Sequence, residues 1–241
     1  HMAATERPEL ERMGTLLNQW LLFRDPPAHT PLRRLLIDTF TPRAINALRP
    51  RIGEIVTELL SPLSARDQFD MIGDFAFPMP ATVIAHILGV PSSDVPKFRS
   101  WSNDLATVIG NSRQVPDRFE RGARALFTLT DYFRSTVLQR SNERKKGALV
   151  DDLISAREAG GSMSEEELVA SCILILFAGH ETTMNLIGNA TLLLLKHRNQ
   201  LALLRDDPNL ISSMVEEVLR YECAAFVIVR VADEDIEIGG K

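Results

Sequence analysis

The run SEEELVASCILILFAGHETTMNLIGNATLLLL, Ser164 to Leu195, decides how the rest of the chain is read. Ser164 followed three residues later by Glu167 is a capping box, and the acids of the first turn suit the positive end of a helix dipole. No proline interrupts the run, so one helix is predicted to about Leu195, long enough at ~1.5 Å per residue to span most of a medium-sized domain. It is apolar on nearly every side, which predicts a central buried helix.

In its middle stand Gly179, His180, Glu181, Thr182 and Thr183, which cost helix propensity and threaten unsatisfied polar groups in a core. Local rules are broken where function requires it. One reading is a solvated notch where the helix passes a cavity. The other is an active-site helix, in which Gly179 lets a ligand approach the backbone and Glu181 with Thr182 relays protons through water. A zinc site of the H-E-x-x-H type fails, because the position of the second histidine is Met184.

The chain has 241 residues, 45% apolar and 24% charged, enough for a sizeable core in one large domain or two small ones. A net charge of -5 gives no footprint for nucleic acid. Cys172 and Cys223 make no disulfide framework, so a cytoplasmic location is expected. No charged-then-apolar leader opens the chain, and polar residues interrupt Leu168 to Glu181, so no membrane span is expected. His1-Met2 reads as the scar of a cleaved expression tag and is set aside.

Pro8 to Trp20 is a short amphipathic piece. Asp25 then offers an N-cap and Pro26 a first helical residue. His29 and Arg33 share one face of that helix, one turn apart. Such pairs are mostly exposed surface bases, yet two groups so placed also clamp carboxylates. Ala44 to Leu63 carries Ile45, Leu48, Ile52, Ile55 and Leu59 at core spacing, with Pro50 allowing a break or kink. A helix through Val83 to Leu88 ends at Gly89, and its His86 reads as a core histidine. Ser93-Asp94 open a helix bearing Phe98, Trp101 and Leu105. A polar break at Gly110 to Pro116 leads to a long helix from Asp117 to about Arg144, whose end, from Arg140, reads as solvated. Two helices joined by a polar linker commonly form a lid. Leu149 to Ala159 is a short helix stopped by Gly160-Gly161. After the central helix, His197 to Leu204 and Asn209 to Tyr221 read as two more helices, and Glu217 with Arg220 as an intrahelical ion pair. From Phe226 to Ala232 and from Ile236 to Gly240 the period becomes two, which predicts a hairpin of short strands.

Ala178-Gly179-His180-Glu181-Thr182-Thr183 resembles the oxygen-activating segment of the central helix in cytochromes P450, above all the soluble bacterial class. Asp25-Pro26-Pro27-Ala28-His29-Thr30-Pro31-Leu32-Arg33, Phe40-Thr41-Pro42-Arg43, the E-x-x-R of Glu217 to Arg220 and the R-x-A of Arg230 to Ala232 are similar to further segments of that family. The resemblance implies a mainly α, cytochrome P450-like helical core with a small β hairpin near the C-terminus. It would form one partial domain over residues 3–241, with lid helices at about 94–145, the central helix at about 164–195 and the E-x-x-R helix at about 208–221. It further implies haem b as cofactor, with His29, Arg33 and Arg230 on the propionates and Ala178 and Gly179 beside the haem. Glu181 and Thr182 would be catalytic, and Phe226, Val227 and Ile228 would face a small apolar organic substrate. Glu217 and Arg220 would be structural, in a buried network with a later arginine, and electrons would come from a ferredoxin-type donor.

The chain departs from the family at its end. The thiolate loop F-x-x-G-x-x-x-C-x-G does not occur, and neither Cys172 nor Cys223 stands in such a context, so no metal ligand is assigned. The chain therefore reads as a truncated, central part of the family, and cleavage of bound dioxygen needs the missing thiolate. Two expectations follow: an incomplete haem-thiolate monooxygenase unable to act alone, or a haem-free helical helper or binding protein. Either would expose apolar surface and be prone to form a homodimer.

Overall fold

The computed structural model describes residues 7–110, 115–143, 147–159, 163–225, 227, 230, 232 and 234–240. The chain divides into two compact units, residues 1–184 and 185–241. The first holds α1 (Arg7–Leu17), α2 (His29–Thr39), α3 (Pro42–Leu63), α4 (Pro78–Ile87), α5 (Val95–Ile109), α6 (Arg118–Glu143) and α7 (Leu149–Glu158). The long helix α8 (Glu165–Lys196) begins in the first unit and ends in the second, which also holds α9 (Arg198–Asp206) and α10 (Ile211–Tyr221).

The N-terminus of α8 is built as its sequence predicts. The Glu167 amide donates to Ser164 Oγ at 3.1 Å and the Ser164 amide to Glu167 Oε2 at 2.7 Å. Arg24, just ahead of α2, also bonds Glu167. Burial alone would raise that carboxyl, but the Ser164 amide and Arg24 together hold it below the usual glutamate range. Beyond this cap α8 buries Leu168, Val169, Cys172, Ile173 and Leu176. They join Trp20, which follows α1, with Phe98 and Leu105 of α5, Leu126, Leu129 and Phe133 of α6 and Leu153 of α7 in one core. Each such side chain contributes about 1.5–3 kcal/mol on leaving water. By length and composition α8 would also cross a membrane, with a mean hydropathy of 1.3. Its N-terminal half is instead packed as a core helix.

α5 and α6 lie close together because Gly122 has no side chain: a Cβ there would meet Val108 Cγ2 at 2.3 Å. Arg121 of α6 reaches back to Asp104 of α5, with Nε donating at 2.9 Å. The expected polar break between them falls partly on residues 111–114, outside the described residues.

Four expectations need correction. α2 starts at His29 rather than Pro26, because Pro26 precedes another proline and a residue before proline disfavours the helical region; Pro26 to Ala28 form a turn. Pro50 does not break α3, which runs on to Leu63. His86 is exposed on α4 rather than in the core.

The fourth concerns Arg140, which is not a solvated helix end. Its side chain is 11% exposed and forks onto Asp151, 7% exposed, through Nε and Nη2 at 2.7 and 2.6 Å. Its Nη1 donates to Gly89 O at 2.7 Å, and Asp151 Oδ2 also accepts from the Ala148 amide at 2.8 Å, starting α7. Gly89, at φ 62°, turns the chain out of α4 so that its carbonyl faces Arg140. One guanidinium therefore ties α6, α7 and the end of α4.

In the second unit, α9 and α10 with Leu193 and Leu194 enclose a groove of about 690 Å³, lined also by Leu203, Met214 and Tyr221. No strand occurs among the described residues, so the β hairpin is not supported. Phe226, Ile228, Val229 and Val231 of that stretch lie outside the described residues. Alternation alone does not make strands, because an isolated two-stranded ribbon is marginal without a further sheet or helix to cover it.

Asp151→Ala leaves the Arg140 guanidinium buried without its acid, so the chain is expected to lose about 3–5 kcal/mol in urea unfolding. Arg140→Leu with Asp151→Leu is expected to cost less than Asp151→Ala alone. Equal losses in the two proteins would show that the pair is not what joins these helices.

Candidate functional site

The polar segment of α8 satisfies itself almost completely. His180 is 2% exposed, and its Nδ1 lies 2.5 Å from Leu176 O. A carbonyl only accepts, so Nδ1 carries the proton and donates. Thr182 Oγ1 donates to Ala178 O at 2.8 Å, and Thr183 Oγ1 to Gly179 O at 3.0 Å. Three side chains thus turn back to carbonyls one helical turn earlier, which lets polar groups sit in an apolar helix without water.

Glu181 is the exception, since its Oε2 is buried and has no hydrogen-bond partner among the described residues. Burial pushes its carboxyl above the usual glutamate range, because a charged carboxylate loses its hydration there. Burial also pushes the His180 imidazole below its ordinary value, although the Leu176 carbonyl favours its charged form. At neutral pH the segment holds a neutral histidine next to an acid with heightened proton affinity.

α4 backs this segment. A Cβ on Gly179 would stand 2.4 Å from Ile84 Cδ1 and 2.8 Å from Ile84 Cγ1, so the glycine gives Ile84 its place against α8. One residue on, the Phe77 ring meets His180 edge-on, with centroids 5.8 Å apart and planes at 84°. The close approach that Gly179 permits on this side is therefore to a neighbouring helix rather than to a ligand. Ala178 and Thr182, one turn apart, are exposed on α8.

On α2, His29 is half-buried and Arg33 exposed, one turn apart; the His29 amide donates to Asp25 O at 3.1 Å, while the two side chains make no hydrogen bond or ion pair to another described residue. In the second unit Arg230 is exposed and Val227 is 77% exposed, while Phe226 and Ile228 lie outside the described residues. Arg220 forks onto Glu217 within α10 at 2.8 and 2.7 Å. Both side chains are more than half exposed, so this is a surface pair and not the buried network implied by the resemblance. Among the described residues no group of three or more His, Cys, Asp and Glu side chains is placed to hold a metal ion.

The described residues define a class of mainly helical protein whose long helix α8 carries a self-bonded polar segment with one buried acid oxygen lacking a partner among them. Comparison with known proteins gives this class its family: the cytochrome P450 family model matches residues 3–241, and the chain belongs to the cytochrome P450 family. It is 41% identical to cytochrome P450 CYP107DY1 of Priestia megaterium over 92% of the chain and 53% of that protein. It is 39% identical to the biotin biosynthesis cytochrome P450 of Bacillus subtilis, over 92% of the chain and 56% of that protein. The solved structure of P450BioI in complex with hexadec-9Z-enoic acid ligated acyl carrier protein matches with a TM-score of 0.89 at 36% identity, covering 99% of this chain and 61% of that one. The chain thus spans about half the length of the curated relatives it matches.

Phe77 and Ile84 went unread in the sequence. A glycine and a histidine side by side in an apolar helix were a usable signal, since each demands a close apolar neighbour from another element. Gly179→Ala should cost about 1–3 kcal/mol through overpacking. Gly179→Ala with Ile84→Ala should cost less than the sum of the single changes, because the second removes the clash. Strict additivity in a double-mutant cycle would show that the two residues are not in contact.

Proposed function

We propose that the chain is the central part of a haem-thiolate monooxygenase that inserts one oxygen atom of dioxygen into a small apolar organic substrate. The observation that carries this is the buried, partnerless Oε2 of Glu181, in a helix segment where every other polar side chain is satisfied. The residues present suit haem: His29 and Arg33 offer an uncommitted basic pair for propionates, and Ala178 and Thr182 offer an open helix face. Haem, when bound there, supplies the centre at which dioxygen and electrons meet.

The chain's own residues then have separable tasks. His29 and Arg33 would hold propionates, and Arg230 would hold another. Ala178 and Gly179 would border the haem. Glu181, with its raised proton affinity, would donate a proton through water to the Thr182 oxygen, and the hydroxyl would pass on its own proton by turning it away from Ala178 O, where it rests in this structure. Phe226, Val227 and Ile228 would face the substrate, and Glu217 with Arg220 would be structural. Cys172 is wholly buried with its thiol pushed up to about 12 by desolvation, so it would not supply a thiolate to haem.

A ferredoxin-type protein would supply electrons, and a cytoplasmic location and a single partial domain over residues 3–241 fit this reading. The apolar side chains exposed on α10, such as Ile211, Val215 and Leu219, would support self-association. A monomer mass that stays constant with concentration in light scattering would exclude it. The haem-free helper is not favoured, given the close likeness to named cytochromes P450.

The test joins this chain to the C-terminal part of the Bacillus subtilis relative. Thr182→Ala in that fusion should lower product formation on the order of 10²-fold while electron consumption continues. His29→Ala with Arg33→Ala should weaken haem uptake. Unchanged product per electron in the Thr182 variant would remove the relay.

A further inference from the structure

The polar segment of α8 is reached from behind by a stack of side chains drawn from two other helices. Phe77 stands where the π-helical turn Met71–Ala76 passes into α4, and it is buried. One side of its contacts is the His180 ring, met edge-on at 5.8 Å. Another is Arg99 of α5, whose guanidinium carbon lies 5.0 Å from the Phe77 centroid. A phenylalanine serving only as filler meets apolar neighbours. Phe77 packs in the apolar core and in addition meets a cation and an imidazole, both of which sense ring orientation through the aromatic quadrupole.

The consequence runs along α8. With Phe77 in place, His180 keeps the rotamer that sends Nδ1–H to Leu176 O, the carbonyl one turn earlier. That bond fixes the helix backbone at the residue before Glu181. Ile84 packs against Gly179, two residues before Glu181 and three before Thr182. We propose that Phe77 is a positioning residue for Glu181 and Thr182, acting through His180, and that Arg99 makes α5 the element that keeps the Phe77 ring in its pose. What Glu181 and Thr182 are positioned for rests on the monooxygenase reading. The α5–Phe77–His180 linkage does not, and it gives a helix of the expected lid a physical route to the acid.

The experiment uses the 241-residue chain with ¹⁵N-labelled histidine and reads the ring nitrogens of His180, assigned by their loss in His180→Asn. Amide exchange at Glu181 and Thr182 is followed in parallel. In Phe77→Leu the Nδ1–H form should give way to a mixture, with the ratio shifting about two- to tenfold, and exchange at Glu181 and Thr182 should quicken by a similar factor. Phe77→Tyr should keep the native ring signals, which separates an aromatic requirement from loss of volume. Native signals in Phe77→Leu, or equal loss in Leu and Tyr variants, would overturn the proposal. Arg99→Ala changes an exposed side chain and decides the matter should Phe77→Leu fail to fold. A shift of the His180 signals in the same direction supports the linkage, and unmoved signals overturn it. None of these readouts needs haem or turnover, so the linkage and the monooxygenase reading can fail separately.

Discussion

Polar side chains set in an apolar helix find partners within it where no water reaches them, and α8 returns His180, Thr182 and Thr183 to carbonyls one turn back. This constraint sets the rest. Self-bonded groups need no water, so α4 can press Ile84 and Phe77 directly against Gly179 and His180. With those contacts made, Glu181 is left with an oxygen that none of the described residues satisfies. An unpaired buried acid costs stability, and such a cost persists where a ligand or a reaction uses the group.

The scaffold around α8 rests on a few desolvated polar junctions as well as on its core. Arg140 collects Asp151 and the Gly89 carbonyl, and Arg24 meets the capping glutamate of α8. Each joins segments distant in sequence, at points where apolar contact alone would leave helix ends free to slide. The tight α5–α6 approach at Gly122 adds a rigid pair whose α5 member touches Phe77 through Arg99.

Much of this was legible in the sequence, because the signals were local. The capping box at Ser164 and Glu167 fixed the start of α8, the absence of proline its length, and Gly89 the end of α4. Motif spacing likewise led to the family. Tertiary choices were not legible. A basic run ending α6 gave no sign that Arg140 would turn inward, since its acid lies on the next helix. His86 and His180 both sit in apolar helices, yet only His180 faces a neighbour. The hairpin failed for the same kind of reason: a two-residue period reports which side chains could share a face, not whether another strand is there to pair with it.

The most direct measurement is the titration of the Glu181 carboxyl carbon by NMR in the glutamate-labelled chain, assigned by Glu181→Gln. A midpoint clearly above the ordinary glutamate value of about 4.3 is expected, because α8 offers that carboxylate burial without a partner. A midpoint at or below that value would mean that Glu181 is solvated or paired, and the segment would then be a notch in a helix and not a site.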